Sequence, residues 1–235
     1  TADLRANESY LVHGLDTDAK QVARARQFIR SKNLYGTVLI DQFDGWRLPY
    51  VDNLVNLVVA EDLAGVSIDE VKRVLCPGGV AYIKKNARWE KTVKPRPDNI
   101  DQWTHYLHDA SGNAVARDTV VGPPSRLQWN GGPKYCRNHE IDSSVVALVS
   151  AKGRFLYIVD EGAPGLMGKH LPQTWALAAR DAFSGVMLWK RPVGQMGWPE
   201  WKPELKDADW TKLIAQRRLI PITLPRRLVA VGDRV

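Results

Sequence analysis

Three groups of side chains have types and spacings that could do chemistry. Asp16 closes the apolar run Tyr10-Leu-Val-His-Gly-Leu-Asp16; Asp44 follows the run Thr37-Val-Leu-Ile40, with Asp41 nearer to the same run. A carboxylate at a strand end either caps the next turn or keeps an oxygen for a ligand's hydroxyl or amine, in charge-assisted bonds worth roughly 1.5–3 kcal/mol each. Taken singly, each aspartate reads as a cap or a solvated loop residue. The second group is His105, His108 and Asp109. His-x-x-His can turn two imidazoles to one helix face, and the aspartate adds an oxygen, the beginning of a metal site. No third well-spaced ligand accompanies them, although His139 exists, so packing of Trp103, Tyr106 and Leu107 is preferred and no metal is expected. The third is Ala179-x-Asp181-x-x-Ser184-Gly185-x-x-x-Trp189, a turn followed by a large flat ring.

The elements that must position these residues centre on Arg73-Val-Leu-Cys-Pro-Gly-Gly-Val-Ala-Tyr-Ile83. Pro77 cannot continue a helix, because it lacks an N–H and clashes with the preceding turn. Gly78 and Gly79 give the backbone freedom for a sharp reversal, and Val80 to Ile83 has the apolar character of a buried strand. Upstream, Ala2 to Asn7 is expected as the last turns of a helix. Thr17-Asp18 caps a helix to about Lys32, with Val22, Ala25, Phe28 and Ile29 at helical spacing. Thr37–Ile40 and Leu54–Val59 are strands, and Ser67–Leu75 is a helix whose Ser67 and Glu70 form a capping box. Gly14 permits close approach of a neighbouring element or serves sheet packing. Strands alternating with helices imply a mostly parallel sheet.

The chain has 235 residues, 44% of them hydrophobic and 25% charged, with 9 Trp and a formal net charge of +7. Residues 1–83 hold 9 Lys/Arg and 11 Asp/Glu, so the whole basic excess belongs to the remainder. There it is scattered, which favours a solvated surface over a nucleic-acid face. The 2 cysteines, Cys76 and Cys136, are too few for a disulfide framework or a four-cysteine zinc site. Cys76 is expected to be small and buried. No apolar run is long enough to span a bilayer and no signal peptide is visible. The sequence begins at Thr1, without Met, and is expected to be an excised or incomplete piece.

With those elements placed, Asp16 at a strand end, the Asp44…Leu48-Pro49-Tyr50 loop, the strand Leu54–Val59 and the Arg73-Val-Leu-Cys-Pro-Gly-Gly79 turn resemble a class I S-adenosylmethionine-dependent methyltransferase. The resemblance covers the first third of the chain and implies a Rossmann-like core from the family's second strand to its fifth. It implies that Asp16 holds the ribose hydroxyls of S-adenosylmethionine. It implies too that Asp44, with Asp41 as competitor, accepts from the adenine amine beside a slot lined by Phe43, Trp46 or Leu48. The family's first strand and glycine-rich loop are not in the sequence, so the α/β part is expected to be partial, with two strand edges unsatisfied. Methyl transfer needs in-line placement of an acceptor, protein or small molecule, and no catalytic residue is named.

From Ser143 the period becomes two. Ser144–Ser150 and Arg154–Asp160 read as a hairpin, followed by Trp175–Asp181 and Val186–Arg191; four strands with short turns make one blade of an all-β propeller. The run from Ala179 to Trp189 is similar to the tryptophan-docking motif of pyrroloquinoline-quinone-type (quinoprotein) propellers, in which the ring packs between neighbouring blades. That likeness does not imply pyrroloquinoline quinone as cofactor. Leu228–Val235 is expected to open another blade. The resulting division is a partial methyltransferase-like domain at 1–83, a basic, Pro-containing connector at 84–142 and a propeller start at 143–235. The Trp103 and Trp129 segments are expected to cover an apolar surface of that last part. Between the blades, Trp198, Trp201, Trp210, Arg217-Arg218 and Arg226-Arg227 could meet an anionic polymer, with Trp packing preferred. The combination resembles large multidomain bacterial proteins, in which such propellers are often exported or periplasmic. Two functions follow: a methyltransferase-like module fused to a propeller and inactive as this piece, or a propeller scaffold carrying a relic Rossmann-like domain.

Overall fold

A computed structural model describes residues 1–120, 122–123, 127–136, 144–165, 172–194, 196–197, 200, 203 and 224–235. The chain divides into two compact units, Thr1–Pro97 and Asp98–Val235.

In the first unit, a short 3₁₀ turn at Ala2–Leu4 stands where a helix end was expected. It precedes β1 (Val12–Asp16), α1 (Ala19–Ser31), β2 (Val38–Gln42), β3 (Val55–Ala60), α2 (Ile68–Val74), β4 (Leu75–Lys85) and β5 (Arg88–Val93). Asp18 caps α1, its carboxylate accepting from the Lys20 N–H at 2.7 Å. Val22 and Ile29 of α1 bury against Val38 and Ile40 of β2, each side chain contributing roughly 1.5–3 kcal/mol when fully removed from water. α1 thus carries the chain from β1 to the parallel strand β2, paired from Val12↔Val38 to Asp16↔Gln42. The close approach anticipated at Gly14 is real: a Cβ there would stand 2.7 Å from Ile40 Cδ1.

The Pro-Gly-Gly stretch is not a turn between helix and strand. β4 runs through it, and the turn is a bulge inside the strand. The register with β3 jumps from Val55↔Leu75 to Leu57↔Val80. Gly78 takes φ +82°, and a Cβ on Gly79 would sit 2.8 Å from the Cys76 carbonyl oxygen. The expected connector also starts later than Lys84. Asn86 and Ala87, at φ 46° and 63°, make a tight reversal, and β5 returns antiparallel from Lys85↔Arg88 to Val80↔Val93. Lys94 locks the far end, its ammonium donating to Asn53 Oδ1, Lys72 O and Leu75 O at 2.7 Å each. β1–β2 and β3–β4–β5 are separate sheets; among the described residues no strand pairs with the second edge of β1 or of β3.

In the second unit, β6 (Val145–Ala151), β7 (Arg154–Asp160), β8 (Trp175–Asp181) and β9 (Met187–Pro192) form one antiparallel sheet in sequential order. Its two faces are both apolar. Tyr157, Val159, Ala176 and Ala178 share one; Ala147, Val149, Leu156 and Ala179 share the other, where Leu228 and Ala230 pack. Residues 228–235 therefore do not form the expected strand. Gly232 at φ +60° turns the chain, Val231 and Arg234 bridge, and Lys152 and Arg154 hold Asp233 at 2.9 and 2.6 Å.

Candidate cofactor site

Asp16 lies at the carboxyl end of β1, half-buried, where one carboxylate oxygen (Oδ1) accepts from the Asp18 N–H at 2.8 Å. Its other oxygen has no protein partner among the described residues. Asp44 lies two residues beyond β2 and is exposed, with Oδ1 accepting from the N–H groups of Trp46 (2.8 Å) and Arg47 (2.9 Å). Those two donors, Arg47 first, hold the Asp44 carboxyl below its usual range. The two loops touch. Phe43 N–H donates to Asp16 O at 3.1 Å, Gln42 Nε2 donates to Thr17 O at 3.0 Å, and a Cβ on Gly45 would lie 3.0 Å from Thr17 Cγ2. Gly45, at φ +85°, is the residue that lets them close.

Asp41, the competitor, is occupied. Arg26 of α1 forms a tight ion pair with one oxygen, and His13 Nε2 meets the other at 2.9 Å. The Arg26 hydrogen bond comes first among the causes that keep its carboxyl below the ordinary range. His13 Nδ1 in turn meets the Tyr50 hydroxyl at 2.9 Å, and burial, then the charge of Asp41, pushes Tyr50 up to about 12. Of the three apolar candidates, Phe43 and Leu48 turn into the core with Val66, Val71 and Leu75, whereas Trp46 is 71% exposed, its ring lying against Gly65.

A clamp at Arg73 holds this loop. Arg73 donates to Leu48 O, Tyr50 O, Asp52 Oδ1 and both oxygens of Glu70, at 2.7–3.2 Å. Glu70 also accepts from the Leu48 N–H at 2.9 Å, so it does not reach back to Ser67 as a capping box requires; Ser67 still caps Glu70 N at 3.1 Å. Arg73, then burial working against it, then Leu48 set the Glu70 carboxyl at about 2. Nothing in the local pattern announces the clamp, since its partners lie 21–25 residues upstream.

The histidine group does not converge on a metal. His108 adopts φ +70° and is buried, with Nε2 at 2.7 Å from Asp101 and Nδ1 at 3.4 Å from Asp109, while His105 Nδ1 faces Thr104. No cluster of three or more metal-ligating side chains exists among the described residues. Asp101 is held at about 2, chiefly by the Arg117 and Gln102 N–H groups. The Asp181 turn is built: Asp181 accepts from the N–H groups of Phe183 (3.1 Å) and Ser184 (2.6 Å) and from the Ser184 hydroxyl at 2.8 Å. Trp129 covers it, donating to Ala182 O at 3.0 Å, and any Cβ at Gly185 would fall within its indole ring. Trp103 pairs with Ser150 of β6 in both directions. The basic-aromatic stretch from Trp198 to Arg218 lies outside the described residues apart from Glu200 and Pro203.

No family model and no curated protein matches the chain. Among solved structures it is similar to the [4+2]-cyclase SpnF, at 27% identity over 35% of this chain and 33% of that one, with a TM-score of 0.32. It is also similar to a Methanococcus maripaludis protein described as an S-adenosyl-L-methionine-dependent methyltransferase, at 27% identity over 31% of this chain and 36% of that one, with a TM-score of 0.28. The chain spans about a third of the length of each. Parallel strand pairs with a crossover helix between β1 and β2 make the first unit α/β and Rossmann-like in kind. The four-stranded antiparallel sheet of the second is consistent with a propeller blade, and no described helix is long and apolar enough to cross a membrane.

Proposed function

We propose that residues 1–97 are a methyltransferase-like module for S-adenosylmethionine, joined to a quinoprotein-type propeller module that binds the methyl acceptor or its carrier. The observation that carries the first half is the pairing of Asp16 and Asp44. Adjacent parallel strands bring them to one edge, each with a carboxylate oxygen unspent among the described residues, while Asp41 is consumed by Arg26 and His13. In this reading Asp16 accepts the ribose hydroxyls, Asp44 the adenine amine, and the open face of Trp46 stacks on the purine. The Arg73–Glu70 clamp keeps the Asp44 loop in place before ligand arrives. The second half is supported by a sheet apolar on both faces and by the seating of Trp129 on the Gly185 turn, which fits a blade wedged between neighbours. Pyrroloquinoline quinone is not part of the proposal. The 235 residues by themselves are expected to transfer no methyl group, since no glycine-rich loop precedes β1 within them.

One observation favours the alternative, a binding scaffold with a relic module: β1 and β3 share no sheet. Titration with S-adenosylmethionine separates the readings. Binding that Asp16→Ala abolishes supports the first; a folded protein that ignores the ligand supports the second.

A further inference from the structure

The sheet β3–β4–β5 has one face buried and one open. Val58, Ala81 and Ile83 point into the core beside α2. By register, the opposite face carries Leu57, Val80 and Val93 in one row, Val59, Tyr82 and Lys91 in the next, and Lys84 with Trp89 at the hairpin end. Leu57 is 46%, Tyr82 40%, Trp89 39% and Val93 50% exposed. Tyr82 and Trp89 stack on one another, ring centroids 5.2 Å apart and 7° from parallel, so the patch is ordered before anything covers it. Faces of sheets with parallel strands are normally covered on both sides.

We propose that this face docks an acidic amphipathic helix of a partner chain. Three strands are about 10 Å wide, the width of one helix, and the rows from Val93 to Trp89 run roughly 13 Å, the length of about nine helical residues. A helix with apolar residues at i, i+3, i+4 and i+7 fits that footprint. The only charges on this face of the strands are Lys84 and Lys91, and both stand at one end. Lys84 reaches Glu61 at 3.4 Å and lies 5.9 Å from the Trp89 ring centroid, so it is already held over the patch. The remaining carboxylate of the strand pair, Glu90, belongs to the opposite face and meets Lys85 at 3.2 Å. A second copy of this chain is the poorer occupant. Stacking two such faces brings each pair of lysines against apolar surface or against the other pair, with no carboxylate to receive them. A helix flanked by Glu or Asp at the hairpin end supplies it.

The test uses the whole chain and two synthetic helical peptides with the same leucine stripe, one flanked by glutamates and one by lysines, followed by fluorescence anisotropy. The glutamate peptide is expected to bind at least about tenfold more tightly than the lysine peptide, a difference of about 1.4 kcal/mol. Lys84→Glu combined with Lys91→Glu is expected to invert that preference, a result that loss of folding cannot mimic. Leu57→Ser with Val93→Ser, both at exposed positions, is expected to weaken the glutamate peptide at least about tenfold. Equal binding of the two peptides, no binding of either, or a dimer that Val93→Ser dissolves would each overturn the proposal.

Discussion

The four-stranded sheet of the second unit is apolar on both faces and covered on both. The three-stranded sheet of the first is apolar on both faces and covered on one. On β6–β9, Trp129 lies over the Gly185 turn, and Leu228 and Ala230 close the opposite face. On β3–β5, α2 and the Phe43–Leu48 loop close one face, while Leu57, Tyr82, Trp89 and Val93 stay in water. Edges differ in the same sense: β6 to β9 pair in sequential order, but β1 and β3 each keep an edge without a strand among the described residues. A sheet closed by its own local hairpins is complete in itself; a sheet of parallel crossovers depends on elements distant in sequence. The second unit therefore offers its surfaces as finished packing, and the first offers carboxylates, an edge and an apolar face.

The comparison breaks most readily at Gly185. Its φ of +73° and the Trp129 ring both exclude a side chain, so Gly185→Val should destabilise the chain by about 3 kcal/mol or more, read as a lowered midpoint of thermal unfolding. An unchanged midpoint would mean that Trp129 does not sit there.

A smaller effect separates the clamped loop from its surroundings. The Glu70 carboxyl is lowered from 4.5 to about 2, so its contribution is fully present above pH 4.5 and is lost as pH falls from there through about 2. Glu70→Gln should cost about 1–2 kcal/mol at pH 7, a deficit that shrinks to nothing by about pH 2. Denaturant titrations of both proteins across that range give the difference directly; a deficit independent of pH would remove the ion pair from the account. At the small end, Ala87 holds φ 63° in the β4–β5 reversal, and Ala87→Gly should stabilise by about 0.5–1 kcal/mol.

Local pattern carried the reading far in places. β7 and β8 match their expected runs residue for residue, because strict alternation and the Lys152-Gly153 turn leave no other register. Asp18 and Ser67 cap the helices they were expected to cap. The misreadings have physical causes. Pro77-Gly78-Gly79 has the chemistry of a turn, yet the pairing of Gly78 and Gly79 with Lys94 keeps it within a strand. β5 was hidden because Arg88, Glu90 and Lys91 read as a charged linker, and only the register with β4 shows Trp89 and Val93 on one face. Leu228–Val235 has strand-like alternation, but Gly232 turns it back. At the candidate site, Asp16 and Asp44 were visible as strand-end acids. That Asp41 is spent on Arg26 and His13 was not, since those contacts span 15 and 28 residues.

The most direct test of the central claim is calorimetric titration of S-adenosylmethionine into this protein, and into any longer chain its gene encodes, beside Asp16→Ala and Asp44→Ala. The account predicts micromolar binding that Asp16→Ala abolishes and Asp44→Ala weakens about tenfold, with Asp41→Asn binding as the unmodified chain does. Folded protein that takes up no ligand at about 1 mM, or binding indifferent to both Asp16 and Asp44, would contradict it.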